Sequence, residues 1–202
     1  MDWRQFFGQD REDMWRQLCA EVGGDYVDGG FWKGDKIQAR VRNWTITLDR
    51  YVVSTGHAHI CYTRMRAPFV SRDGLRFLIY RHGFFSNLGK ALGMQDIEAG
   101  HSAIFDEDFV IKGNDEAKIR KLFANAEIRR LIDAQPHIRL ELKDDEGTFR
   151  NVFPEGVDEL YFLAYEIRNV EGLKLLYDLF VEVLNELHKI GSASGEDPGV
   201  EL

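Results

Sequence analysis

The chain has 202 residues, 44% hydrophobic and 12% aromatic, enough for a sizeable core and too apolar for wholesale disorder. No apolar run approaches the roughly 18 residues that a membrane span needs, and the opening residues MDWRQFF lack the continuous apolar stretch of a secretory signal. A net charge of −8 disfavours nucleic acid, whose phosphates would repel the molecule as a whole, and the two cysteines, Cys19 and Cys61, suit reduced thiols in a cytoplasm better than a disulfide framework.

In chain order, residues 10–22 read as a helix with Met14, Trp15, Leu18, Cys19 and Val22 on one side, closed by Gly23-Gly24. Over 36–49 the apolar parity flips. Ile37, Ala39 and Val41 alternate with polar residues before Arg42-Asn43, and Trp44, Ile46 and Leu48 do so after it. A two-residue turn explains the flip and pairs Val41 with Trp44, Ala39 with Ile46 and Ile37 with Leu48. Asn43 supplies tolerance of positive φ, and a single bulged strand is the competing reading. Two further strands, 57–69 and 75–81, are joined by the turn sequence SRDG at 71–74.

Residues 84–92 suggest a short helix and 109–111 a short strand. Asn114 is placed to cap the next helix, and Asn125 repeats the arrangement ahead of Ile128, Leu131 and Ile132. Ile138, Leu140 and Leu142 alternate as a half-buried strand, and a turn at 144–147 would align Leu142 with Phe149 and Ile138 with Phe153. Residues 160–167 are apolar on both faces and read as a central strand covered on both sides. Asn169 then caps a long helix over 170–190, with Leu173, Leu176, Leu179, Phe180, Val183, Leu184, Leu187 and Ile190 on one stripe and Gly191 at its end.

These elements predict an α+β fold: a mainly antiparallel, curved sheet packed against the long C-terminal helix and the shorter helices of 114–133. One domain over 1–191 is expected, with 192–202 a disordered tail rich in Gly, Ser, Asp and Pro.

The phrases WTITLD (44–49), YTRMRAP (62–68), GMQDIE (93–98) and FVIKGNDE (109–116) resemble those of a group of conserved hypothetical bacterial proteins. The resemblance reaches to about Pro198 and implies a stand-alone domain. It brings no catalytic or binding residue with it.

Charge is divided along the chain. Residues 1–32 hold 3 Lys/Arg and 7 Asp/Glu (−4), residues 33–90 hold 11 and 3 (+8), and residues 91–202 hold 12 and 24 (−12). Either the segments neutralise one another in the fold or the basic middle forms an anion-recognising face. Arg64, Arg66, Arg81 and Lys90 are the candidates for such a face, because guanidinium pairs clamp carboxylates and phosphates.

Two clusters suggest a metal-dependent enzyme instead. His57, His59 and Cys61, at i, i+2 and i+4, share one face of a strand and are suitable ligands for zinc or copper. Asp96, Glu98, His101 and Asp106 form an oxygen-rich set with one imidazole, fit for a divalent ion or acid–base work. No Walker loop, G-x-G-x-x-G, G-x-S-x-G, H-E-x-x-H or C-x-x-C is present. Those absences count against catalysis without excluding it, since triads assemble from distant positions. The leading expectation is a non-catalytic binding or protein-interaction domain, with no cofactor, able to self-associate and facing an acidic ligand or protein. A carrier of a small apolar ligand, held between helix and sheet, is a further alternative.

Overall fold

The computed structural model describes residues 9–29, 34–54, 56, 59–82, 94–100, 103–144 and 153–202. Within them lie helices α1 (Gln9–Val22), α2 (Ala103–Asp108), α3 (Glu116–Ala124), α4 (Ala126–Asp133) and α5 (Val170–Lys189). The strands are β1 (Asp25–Val27), β2 (Lys36–Val41), β3 (Trp44–Ser54), β4 (His59–Val70), β5 (Phe77–Arg81), β6 (Gln95–Asp96), β7 (Phe109–Gly113), β8 (Arg139–Asp144) and β9 (Val157–Tyr165). All nine form one curved, unclosed antiparallel sheet in the order β1-β2-β3-β4-β9-β8-β5-β7-β6. The fold is α+β, as the apolar periodicities imply.

Strand alternation gives the sheet two unlike faces. Trp44, Ile46 and Leu48 of β3, Met65, Ala67 and Phe69 of β4, and Leu160, Phe162 and Ala164 of β9 turn inward and join one core with the leucine stripe of α5. The Trp44 ring meets His188 of α5 edge-on, with centroids 6.0 Å apart. Asn169 caps α5 by accepting from the Gly172 amide at 2.6 Å, and Gly191 ends it at φ 84°. α5 also contacts α1, α3 and α4.

The β2–β3 hairpin has the register that the parity flip demands: Val41 opposite Trp44, Ala39 opposite Ile46, Ile37 opposite Leu48. In its turn Arg42, not Asn43, takes the positive φ of 55°. β9 occupies the middle of the sheet; its inner side is closed over throughout, its outer side only at Val157 and Glu159. Outward, Tyr161 and Leu163 are half-buried and Tyr165 is exposed.

Other local expectations give way to longer-range contacts. β4 and β5 are consecutive yet unpaired: β4 lies between β3 and β9, and β5 between β7 and β8. Leu142 is opposite Phe77 and Leu160: β8 lies between β5 and the next strand, β9, in a longer register than a four-residue turn would give, with Asp144 opposite Asp158. The proposed partner Phe149 falls outside the described residues, as do the 84–92 helix and the aromatic residues Trp3, Phe6, Phe7, Phe31 and Trp32.

The cap of α3 is Asp115, which accepts from the Lys118 amide at 3.0 Å. Asn114 instead bridges strands, accepting from the Arg76 amide at 2.8 Å and donating to the Gly74 carbonyl at 2.8 Å. Asn125 caps α4 as expected.

Residues 192–202 are not a free tail. Ser192, Ala193 and Ser194 are buried, the Ser194 amide donates to the Val70 carbonyl at 2.8 Å, and Ser71 forms a bridge with Ala193. A loop composition hides this, because the contacts are made by main-chain groups that any residue carries. No described helix is long and apolar enough to cross a membrane.

Candidate functional site

The outer sheet face is polar and aromatic. Across three strands it is arranged in rows set by register: Tyr51, Tyr62 and Tyr165 stand opposite one another on β3, β4 and β9. The adjoining row is Lys36, Asp49, Arg64 and Leu163, and the next Gln38, Thr47, Arg66, Tyr161 and Glu141. The Tyr62 and Tyr165 rings stack at 5.4 Å with planes 19° apart, and the His137 ring meets Tyr165 edge-on at 5.8 Å. The Arg64 guanidinium lies 5.1 Å from the Tyr51 ring centre, and the Lys143 ammonium 3.8 Å from that of Tyr161. Tyr51 is 40% exposed and Tyr165 53%.

Asp49 is the electrostatic centre of this face. It takes Arg64 bidentately at 2.7 and 2.6 Å and accepts from Arg66 at 2.8 Å. Two guanidinium groups on one carboxylate leave the trio with a net positive charge, and Arg66 Nε is buried without an acceptor among the described residues. Burial works to lower the pKa of Arg64, but the Asp49 bonds outweigh it and hold the pKa above the usual value. Burial likewise pushes the Tyr161 phenol up.

Of the four basic residues singled out from sequence, only Arg64 and Arg66 come together, and they converge on Asp49. Arg81 sits at the end of β5, paired with Asp108 at 3.2 Å and Asp133 at 3.1 Å and lying over the Phe109 ring. Lys90 is outside the described residues. The basic middle of the chain largely meets the acidic remainder. Arg40 pairs with Asp197, Arg50 with Glu166, and Arg76 with Asp144 and Asp158.

His59 and Cys61 lie on the helix side of β4, the first exposed and the second half-buried with the Arg50 guanidinium against its sulfur. His57 is outside the described residues, among which no three His, Cys, Asp or Glu side chains gather as a metal site. The loop cluster is dispersed. Asp96 pairs with Lys112 at 2.9 Å, Asp106 accepts the Ala99 and Gly100 amides at 2.8 and 3.0 Å, Glu98 is exposed, and His101 is outside the described residues.

An open cleft of about 500 Å³ does lie beside Asp96 and Glu98, with His82, Glu116 and Arg120 on its walls. It sits over β6 and β7 instead of between α5 and the sheet, where an apolar ligand was expected.

Sequence reading missed Asp49 and the tyrosine row. Parity within 44–49 places Asp49 on the polar side of β3, but the alignment of Tyr62 with Tyr165 depends on two strands about a hundred residues apart.

No family model and no curated relative matches the chain. Its fold is similar to that of the crystal structure of the mycobacterial trehalose monomycolate transport factor A, TtfA. The TM-score is 0.52 at 9% identity, over 93% of this chain and 98% of that one. The likeness is one of fold.

Proposed function

We propose that this chain is a non-catalytic binding domain that recognises an acidic partner through the outer face of its sheet. The observation that carries this reading is the tyrosine row of β3, β4 and β9, exposed at Tyr51 and Tyr165 and flanked by the Arg64–Asp49–Arg66 trio. Tyrosine and arginine dominate binding hot spots, because a rigid amphipathic ring and a planar cation give large contact area with little side-chain entropy to lose. On this face the aromatic rings stand beside a net positive charge, which favours carboxylates. A neighbour of the same fold named as a transport factor agrees with binding over catalysis, by analogy of fold alone.

The test is fluorescence anisotropy with a labelled octaglutamate peptide on the full chain. Saturable binding that weakens with salt is expected, reduced about tenfold or more by Tyr51→Ala combined with Tyr165→Ala. Both side chains are exposed, so the double variant keeps its fold, as urea unfolding would show. No saturable, salt-sensitive binding, or binding untouched by the double variant, overturns the reading.

A further inference from the structure

β2 turns Lys36, Gln38 and Arg40 to the outer face, since Ile37 and Ala39 are buried on the other side. Residues 195–202 run back along β2 from its turn to its start, touching Asn43, Arg40 and Lys36 in that order. Asn43 Nδ2 donates to the Gly195 carbonyl at 2.6 Å, Arg40 Nη2 meets Asp197 Oδ2 at 3.3 Å, and Lys36 Nζ donates to the main-chain oxygen of Leu202. A turn at Asp197, where the Gly199 amide donates to Oδ1 at 2.9 Å, takes up the extra residue.

Burial within the segment alternates: Pro198, Val200 and Leu202 are half-buried, while Asp197, Gly199 and Glu201 are exposed. The apolar side chains thus face the sheet and the acids face solvent, while the backbone kinks at Gly199, where φ is 65°. The segment carries three acids, Glu196, Asp197 and Glu201, and no base. Its last contact, at Lys36, lies in the row of Asp49 and Arg64, next to Tyr51.

From this placement we infer that residues 195–202 are the resident occupant of a peptide seat on the outer face of β2, and that the seat's external ligand is an acidic segment, kinked at a glycine, with apolar residues at alternate positions. The ligand binds by displacing the tail. The inference rests on the reading of the outer face as a binding surface, and it adds both the form of the ligand and a means of regulation. The tail suits an exchangeable occupant. Arg40 and Asp197 are 64% and 60% exposed, so solvent screens their attraction, whereas Ser192 and Ser194 just before it are buried and stay anchored.

The experiment uses the full chain and a labelled synthetic peptide of sequence GEDPGVEL, the segment itself. In a variant carrying Val200→Asp and Leu202→Asp, the tail loses its half-buried contacts while the anchor at 192–194 is untouched. The detached variant is expected to bind the peptide roughly tenfold or more tightly than the parent, whose tethered tail competes at about millimolar effective concentration. Adding Lys36→Glu and Arg40→Glu to the detached variant should abolish binding.

Equal affinities for parent and detached variant, or no saturable binding to the detached variant, overturn the inference. So does self-association of the parent that the detaching substitutions remove, since the tail would then sit on a second copy. Tyr51→Ala with Tyr165→Ala in the detached variant separates the two readings. If GEDPGVEL still binds there while octaglutamate never binds the parent, the seat stands and the tyrosine reading falls. If octaglutamate binds through the tyrosines while GEDPGVEL does not bind the detached variant, the reverse holds.

Discussion

The Ser192 hydroxyl donates to Asp73 Oδ2 at 2.8 Å, joining the turn after β4 to the first residue beyond the C-terminal glycine of α5. Asp73 also receives the Lys118 ammonium at 2.5 Å and the Leu75 amide at 3.0 Å, so one carboxylate ties a turn, helix α3 and the chain end together.

Burial works to raise the pKa of Asp73, but the bonds from Lys118, Ser192 and Leu75 outweigh it and lower the pKa. A folded pKa below the unfolded value stabilises the protein above about pH 3.9, and the contribution is lost as pH falls through the depressed folded value. Asp73→Asn should therefore cost about 1–3 kcal/mol at pH 7, and the gap to the parent should close toward pH 3. Urea unfolding at the two pH values measures this; a gap independent of pH would contradict it.

Arg76 lies between Asp158 at 2.7 Å and Asp144 at 3.1 Å, and the Asp158 side chain is only 4% exposed. Removing the guanidinium leaves a buried carboxylate without its counter-charge. Arg76→Ala should destabilise by about 3–5 kcal/mol. The double variant Arg76→Leu with Asp158→Leu should recover part of the loss, as a double-mutant cycle in urea would reveal.

Gly113 ends β7 opposite Phe77 and Gln95. A Cβ there would stand 2.0 Å from Ile119 Cδ1 and 2.9 Å from the Arg76 carbonyl oxygen. The isoleucine tip can rotate away, but the carbonyl belongs to a neighbouring strand segment. Gly113→Ala should cost about 1–3 kcal/mol, read as a lower thermal midpoint. An unchanged midpoint would mean that β7 moves freely off Arg76.

Arg42 carries the hairpin in a left-handed conformation that costs an L-residue roughly 1–2 kcal/mol, offset in part by its guanidinium over the Trp44 ring at 5.9 Å. Arg42→Val should destabilise by about 1–2 kcal/mol, because a β-branched residue fits this region poorly. Arg42→Gly should stay within about 0.5 kcal/mol of the parent, with strain relief set against lost ring contact and a more flexible unfolded chain. Equal losses for the two would rule out backbone strain as the cause.

What was legible in the chain is what local periodicity encodes. The α5 stripe, its Asn169 cap and Gly191 stop, the register of β2 on β3 and the Asn125 cap are all decided within a few residues of themselves. The failures share one cause. Asn114 has the chemistry of a cap, yet it serves Arg76 and Gly74 some forty positions away. β8 does pair with the next strand, β9, but with Asp144 opposite Asp158, and its other edge is taken by β5, some sixty positions earlier.

By itself the sequence determined which residues turn inward, because burying apolar side chains at fixed periods is a property of each segment alone. It determined the α+β class for the same reason. Only the tertiary structure decided the order of the strands, and with it which outward residues share a row. Side chains on a sheet face become neighbours through pairing between distant segments, and pairing leaves little mark on either strand. The meeting of Asp49 with Arg64 and Arg66, the row of Tyr51, Tyr62 and Tyr165, and the seating of Asp197 on Arg40 are all of that kind.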